Sequence, residues 1–204
     1  MLSRAQDRAF PLGVRQLCPV LAADIADFSS PARDEEIREA MNADLHRVIG
    51  DAVAASGIDW KSCYRQDEGD GVLVVMPTST CPDRLIDSLP GQLRFQVRRA
   101  NHKASQAAQM RLRVAVDIGL IKRTAHGVHG DSLIGLSRML NADPLREALD
   151  ESGAELAMAF SDYLYRTVVL DAPSLTSPAE FTPFDCMVKK TSVHGWLRVP
   201  SAER

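Results

Sequence analysis

The residues best suited to chemistry are carboxylates set at the ends of apolar runs. Asp70 lies in Arg65-Gln66-Asp67-Glu68-Gly69-Asp70-Gly71-Val72-Leu73-Val74-Val75-Met76, an acidic turn between two runs of strand character. Glycine on each side of it lets another group approach the backbone closely. Asp24 lies in Val20-Leu21-Ala22-Ala23-Asp24-Ile25-Ala26-Asp27-Phe28-Ser29-Ser30, again an apolar run broken by acid. Two acids at the ends of neighbouring strands suit a divalent metal engaged in phosphate chemistry, because Mg²⁺ takes one or two carboxylates plus phosphate oxygens rather than a full protein cage. The turn Asp27-Phe28-Ser29-Ser30 then enters a helical pattern whose first N–H groups and positive dipole end suit a triphosphate, which makes Phe28 and Ser29 candidate substrate contacts. The alternative for both acids is a turn role, satisfied by local backbone hydrogen bonds.

Other reactive residues point nowhere specific. Cys18, Cys63, Cys81 and Cys186 form no C-x-x-C pair, so they read as free thiols rather than zinc ligands or a disulfide framework. His126 and His129 lack a third ligand and read as loop histidines. Arg94, Arg98, Arg99, His102 and Lys103 make the most basic local stretch and read as a solvated helix face.

The elements that must position the acids follow from periodicity. Leu17 to Asp24 is near-continuously apolar, as in a central strand covered on both faces. Ser30 as N-cap, Pro31 at the first helical position and early acids predict a helix, which Ile37, Met41, Leu45, Val48, Ile49 and Val53 continue to Gly57. Residues 58–66 and 72–76 read as a strand pair around the acidic turn, and 83–103 as a helix interrupted at Pro90-Gly91. Alternation over 110–121 predicts a half-buried strand leading to a Gly- and His-containing loop. Residues 132–149 read as one helix, 155–160 as a short strand, 162–170 as a helix capped by Ser161, and 184–189 and 195–199 as closing strands. This order suits one sheet with helices on a face.

With 204 residues the chain suits one domain with a real core. We expect an N-terminal extension over 1–16 and a catalytic domain over 17–204. A net charge of -3 makes no electrostatic case for nucleic acid or an acidic membrane. There is no basic-then-apolar leader pattern and no apolar run near the ~20 residues that span a bilayer, so a cytoplasmic protein without membrane contact is expected.

Ala22-Ala23-Asp24-Ile25-Ala26-Asp27-Phe28-Ser29 resembles the first metal motif of class III nucleotidyl cyclases, and Gly69-Asp70-Gly71 before an apolar strand resembles their second. Gly130-Asp131-Ser132-Leu133-Ile134-Gly135-Leu136-Ser137-Arg138-Met139 is similar to the family's glycine-led helix carrying a transition-state Asn and Arg. The resemblance runs in order over roughly residues 17 to 160. It implies an α+β, ferredoxin-like catalytic domain with a mostly antiparallel sheet and helices packed on it. It further implies a nucleoside triphosphate substrate, two divalent metal ions (Mg²⁺ or Mn²⁺), and a head-to-tail homodimer with sites at the interface. By the match, Asp24 and Asp70 would be metal carboxylates, Ile25 would add a backbone carbonyl, and Arg138 would stabilise charge at the transferring phosphate. Lys189 or Lys190, in a Val-Lys-Lys run, would touch the triphosphate; a surface lysine is the alternative.

Departures from the pattern bear on substrate and rate. Ile134 stands where the family carries Asn, so one transition-state donor is missing, worth ~2 to 4 kcal/mol unless Ser137 one turn onward replaces it. Gln66 and Gly127 stand at the positions that select a purine in adenylate and guanylate cyclases. Intact metal acids with an altered base pocket resemble the pyrimidine cyclases of bacterial Pycsar antiphage systems, with UTP favoured over CTP, and Tyr64, Arg65 and Gln66 lie where such a pocket would read the base. An adenylate or guanylate cyclase, or a catalytically silent cyclase-like module that binds nucleotide or partners, are the alternatives. A polymerase-like palm would want consecutive acids, which Asp67-Glu68-Gly69-Asp70 only loosely provides.

Overall fold

The apolar run before Asp24 forms the middle of the sheet. In a computed structural model that describes residues 9–171, 175–188 and 190–200, β1 (Arg15–Ile25) is buried at every residue from Cys18 to Ile25. It is followed by α1 (Glu35–Ala55), the hairpin β2 (Tyr64–Asp67) and β3 (Gly71–Val75), α2 (Leu89–Asn101), β4 (Leu112–Thr124) and β5 (Gly127–His129). Then come α3 (Asp131–Leu140), α4 (Asp143–Ser152), β6 (Leu156–Ser161), α5 (Asp162–Tyr165), and the hairpin β7 (Thr182–Val188) and β8 (Thr191–Arg198). The eight-stranded sheet runs β2-β3-β1-β4-β6-β8-β7, with β5 paired to the end of β4. β4 and β6 run parallel and the other pairs antiparallel. A parallel pair needs a crossover, which α3 and α4 supply. The architecture is the expected α+β fold with a mostly antiparallel sheet.

Helices cover both faces of the sheet rather than one. Met41, Leu45 and Ile49 of α1 and Leu93 and Val97 of α2 pack on Leu21, Ala23, Val72, Val74, Leu112 and Val114. On the other side Leu136, Met139, Leu145 and Leu149 of α3 and α4 pack on Val20, Ala22, Ala115, Ala157 and Ala159. The two sets alternate along each strand, as the strand period demands. β4 is therefore buried on both faces, not half-buried as its polar residues suggested: Arg113 is half-buried and Asp117 is 9% exposed. Small alanines on that face, Ala22, Ala115, Ala157 and Ala159, let the second helical layer approach.

Several element boundaries differ from the sequence reading. α1 begins at Glu35, not Pro31, because the Asp34 carboxylate accepts the Ile37 N–H at 2.8 Å while Ser30 and Pro31 stay in turns. Residues 60–62 form a 3₁₀ turn and shorten β2. A π-helical turn at Arg84–Ser88 precedes α2, in whose first turn Pro90 sits. The single helix expected over 132–149 is two, since Ala142 is extended before Asp143-Pro144 start α4. Ahead of β1, Phe10 is 3% exposed and meets the Tyr64 ring edge-on, and Leu12 bridges to Arg123, so the described part of this leading segment packs onto the domain. Among the described residues no helix is long and apolar enough to cross a membrane.

Candidate active site

Register brings the two acids together. Asp24, at the end of β1, pairs with Gly71 of β3, and the Ile25 N–H donates to the Asp70 carbonyl at 3.0 Å. The glycine is required: a Cβ at Gly71 would lie 2.6 Å from the Ala23 carbonyl oxygen. Gly69 takes φ +84°, the left-handed region that glycine enters freely. The turn role considered for Asp70 is filled by Asp67 instead. Its Oδ1 accepts the Gly69 N–H at 2.7 Å, and this bond, with His46 alongside, holds the Asp67 carboxyl below the usual carboxylate range. Asn42 of α1 also donates to the Gly69 carbonyl. The Asp70 carboxylate is left without a hydrogen-bond partner among the described residues.

Asp24 is not free. It faces Arg113, its cross-strand partner on β4, in a bidentate pair: Nε to Oδ1 at 2.9 Å and Nη2 to Oδ2 at 2.8 Å. Burial pushes the Asp24 carboxyl above the usual carboxylate range, the guanidinium opposes the rise, and the nearby Asp70 charge adds to it. A planar donor fork of this kind matches carboxylate and phosphate alike.

A cleft of about 440 Å³ opens beside this corner, lined by Asp24, Asp70, Gln66, Glu68, Ser137 and Asn141. Phe28 and Ser29 line a neighbouring cleft of about 570 Å³ together with Asp70, Arg38 and Asn42. The β1–α1 loop that carries them turns at Asp27, which has φ 55°. It is clamped by the Arg33 guanidinium, which donates to the carbonyls of Ala26, Asp27, Ala107 and Gln109 at 2.7–3.2 Å. Arg111 ties the Asp27 and Asp150 carboxylates together. The N–H groups of Phe28 and Ser29 find no backbone acceptor among the described residues. They belong to a turn, not to the expected helix N-terminus.

The base-reading candidates divide. The Tyr64 hydroxyl donates to Gln66 Oε1 at 3.1 Å, and Gln66 Nε2 donates to Glu68 at 2.6 Å. Gly127 closes on this pair, since a Cβ there would lie 3.5 Å from Gln66 Oε1. Arg65, one residue out of phase, sits on the opposite face with its guanidinium 4.8 Å over the Trp60 ring, and is not brought to the cleft. Arg138 is also apart. It shares a separate cleft with Ile134, Ser137, Asn141 and Val188, and Ser137 alone of the two catalytic candidates lines the Asp24 cleft as well. Ile134 is 52% exposed. Lys189 lies outside the described residues.

Arg113, Arg33 and Asn141 are the site residues that the sequence reading missed. Arg113 read only as the polar phase of a strand, and nothing linear places it against Asp24, 89 residues away. Among the described residues no three His, Cys, Asp or Glu side chains converge as a metal cage. The donors at the corner are hard oxygens, two carboxylates and the backbone of Ile25, which fit Mg²⁺ or Mn²⁺ bound jointly with a phosphate ligand, provided that Arg113 yields Asp24.

No family model and no curated protein sequence matches the chain. Solved structures do. An adenylate/guanylate cyclase/hydrolase from Silicibacter pomeroyi superposes with a TM-score of 0.65 at 18% identity, over 93% of this chain and 99% of that one. The monomeric guanylyl cyclase domain of the RhoGC fusion protein from the aquatic fungus Blastocladiella emersonii gives 0.59 at 13% identity, over 91% and 96%. A bacterial light-regulated adenylyl cyclase gives 0.59 at 12%, over 90% of this chain and 52% of that one. The chain has the fold of class III adenylate and guanylate cyclase catalytic domains.

Proposed function

We propose that the protein is a metal-dependent nucleotidyl cyclase that converts a pyrimidine nucleoside triphosphate, UTP in preference to CTP, to a 3′,5′-cyclic nucleotide and pyrophosphate. The observation that carries the reading is the meeting of Asp24 and Asp70 at one corner of a cleft, next to a loop with free N–H groups. Mg²⁺ or Mn²⁺, held by Asp24, Asp70 and the Ile25 carbonyl, would supply activation of the ribose 3′-hydroxyl and neutralisation of the triphosphate. The chain's own groups do the rest. The Phe28 and Ser29 N–H groups hold phosphate oxygens, and Arg113, once it releases Asp24, offers its fork to the same anion. The 3′-hydroxyl gives up its proton to water, its oxygen bonds to the α-phosphorus, and the bond from that phosphorus to the bridging oxygen breaks, so that pyrophosphate leaves with the electron pair. Ser137 stands in for the missing Asn donor. Tyr64, Gln66 and Glu68 present a fixed polar edge to the base.

Arg138 belongs to the same reading through a homodimer. It lines a cleft other than that of its own Asp24, so a second copy placed head to tail would receive it, and each site would take acids from one subunit and Arg138 from the other. The pyrimidine product would act as a second messenger in bacterial antiphage defence. Incubation of the pure protein with Mn²⁺ and each of the four ribonucleoside triphosphates, with chromatographic separation of products, tests the proposal. Cyclic UMP is the expected product. No cyclic product from any of the four removes the enzymatic reading, and cyclic AMP or GMP alone removes pyrimidine selectivity.

A silent nucleotide-binding module is the second reading. It is favoured by Ile134 at the Asn position and by the Asp24 carboxylate being held by Arg113. Calorimetric binding of a triphosphate without turnover would select it.

A further inference from the structure

We infer that the chain carries a second anion-binding site, apart from the candidate catalytic cleft, for the phosphate group of a small molecule of nucleotide size. Arg15 pairs directly with Lys122 across β1 and β4, and Lys122 pairs directly with His129 across β4 and β5. Direct cross-strand partners project from the same face with Cβ atoms about 5 Å apart, so three basic side chains form a row over three strands. Like charges set opposite each other destabilise a sheet unless something compensates them. Among the described residues none of the three has a carboxylate or hydrogen-bond partner, although the chain as a whole is acidic at -3.

The row borders a cleft of about 660 Å³, closed on its other side by the start of α3. That helix has Gly130 at its N-cap and no side-chain capping bond, so the first N–H groups at Asp131 and Ser132 are open to a ligand. Asp131 also lines the cleft, but makes no ion pair with the row. Leu120 and Ile134, each 52% exposed, give an apolar surface beside the basic one. A phosphate on an organic body satisfies both: the anion takes the guanidinium, ammonium and helix N–H groups, and the body covers the leucine and isoleucine. Inorganic phosphate alone would leave the apolar part uncovered.

The site shares Val128 and Leu133 with the Asp24 cleft and Leu133 and Ile134 with the Arg138 cleft, but the basic row Arg15, Lys122 and His129 borders neither, so the anion site stands apart from the cyclase reading. The test is calorimetric titration with UMP and with inorganic pyrophosphate in EDTA, which excludes binding that needs a divalent metal. The proteins are wild type, the Arg15→Gln/Lys122→Gln double variant and Asp24→Asn. The expected result is saturable UMP binding by wild type and Asp24→Asn, weakened at least tenfold in the double variant with an unchanged melting temperature, and weakened by salt. Pyrophosphate is expected to compete for the same site with lower affinity. Absence of metal-free UMP binding by wild type, equal affinity in the double variant, or loss of binding in Asp24→Asn each overturns the inference. Because the exposed basic side chains carry no packing, unfolding of the double variant would itself contradict the free row described here.

Discussion

Asp24 answers to two demands, since the carboxylate proposed for metal also neutralises a half-buried arginine. Asp24→Ala and Asp70→Ala are both expected to abolish cyclisation, but for stability they part. Removing Asp24 strands the Arg113 guanidinium, whose side chain is 14% exposed, and is expected to cost about 2 kcal/mol. Removing the unpaired Asp70 should stay within about 0.5 kcal/mol. Urea titrations of the two variants measure the difference, and normal cyclisation by either variant means that the site is elsewhere. Asp117 behaves differently again. Burial raises its carboxyl above the usual range against hydrogen bonds from Ser161 and the Ile118 N–H. At low pH both folded and unfolded chains carry the proton; as pH rises from the ordinary carboxylate range towards the raised folded value, the unfolded chain ionises while the folded one stays protonated, and stability is lost until the folded value is passed. Asp117→Asn should therefore melt above wild type at neutral pH, and the gap should close as pH falls to ~3.

At the scale of elements, α3 is the helix that would set the rate under the cyclase reading. Its outward face carries Ile134 and Arg138 one turn apart, while Leu136 and Met139 anchor the other face in the core. Because Ile134 is exposed, the helix does not need it for packing. Under the cyclase reading, Ile134→Asn restores a donor for the transition state and should raise turnover, on the order of tenfold to a hundredfold, without loss of stability. Steady-state kinetics with the preferred triphosphate measure it. An unchanged rate would mean that Ser137 already supplies the donor. The β2–β3 hairpin sets the other side of the site. Its turn is fixed by Asp67, Gly69 and Asn42, which leaves Asp70 free for a ligand.

At the scale of the molecule, one chain does not assemble the whole proposed site. The acids and Ser137 meet in one cleft and Arg138 opens on another. If the site is completed by a second copy, Asp24→Ala and Arg138→Ala proteins, each inactive alone, should regain part of the activity when mixed, because the mixed dimer holds one intact site. Activity assays of the mixture over a range of concentrations check this. No recovery in a mixture shown to exchange subunits would remove the shared-site reading.

The sequence by itself determined the sheet's central strand, the acidic hairpin and the amphipathic faces of α1, α2 and α3, because these rest on local periodicity and on turn chemistry that acts over a few residues. It also singled out Asp24 and Asp70, through their apolar and glycine neighbours. Tertiary structure decided what lies across from them. Arg113 meets Asp24 through β1–β4 register, Arg65 turns away because a strand alternates faces, and two helical layers bury both sides of β4. The break at Ala142 was hidden because Leu145 and Leu149 continue the apolar spacing of α3 and pack in the same core layer, and only the extended backbone at Ala142 shows that they belong to another helix. Pairings between distant strands have no linear signal, and here they decide which charges share a cleft.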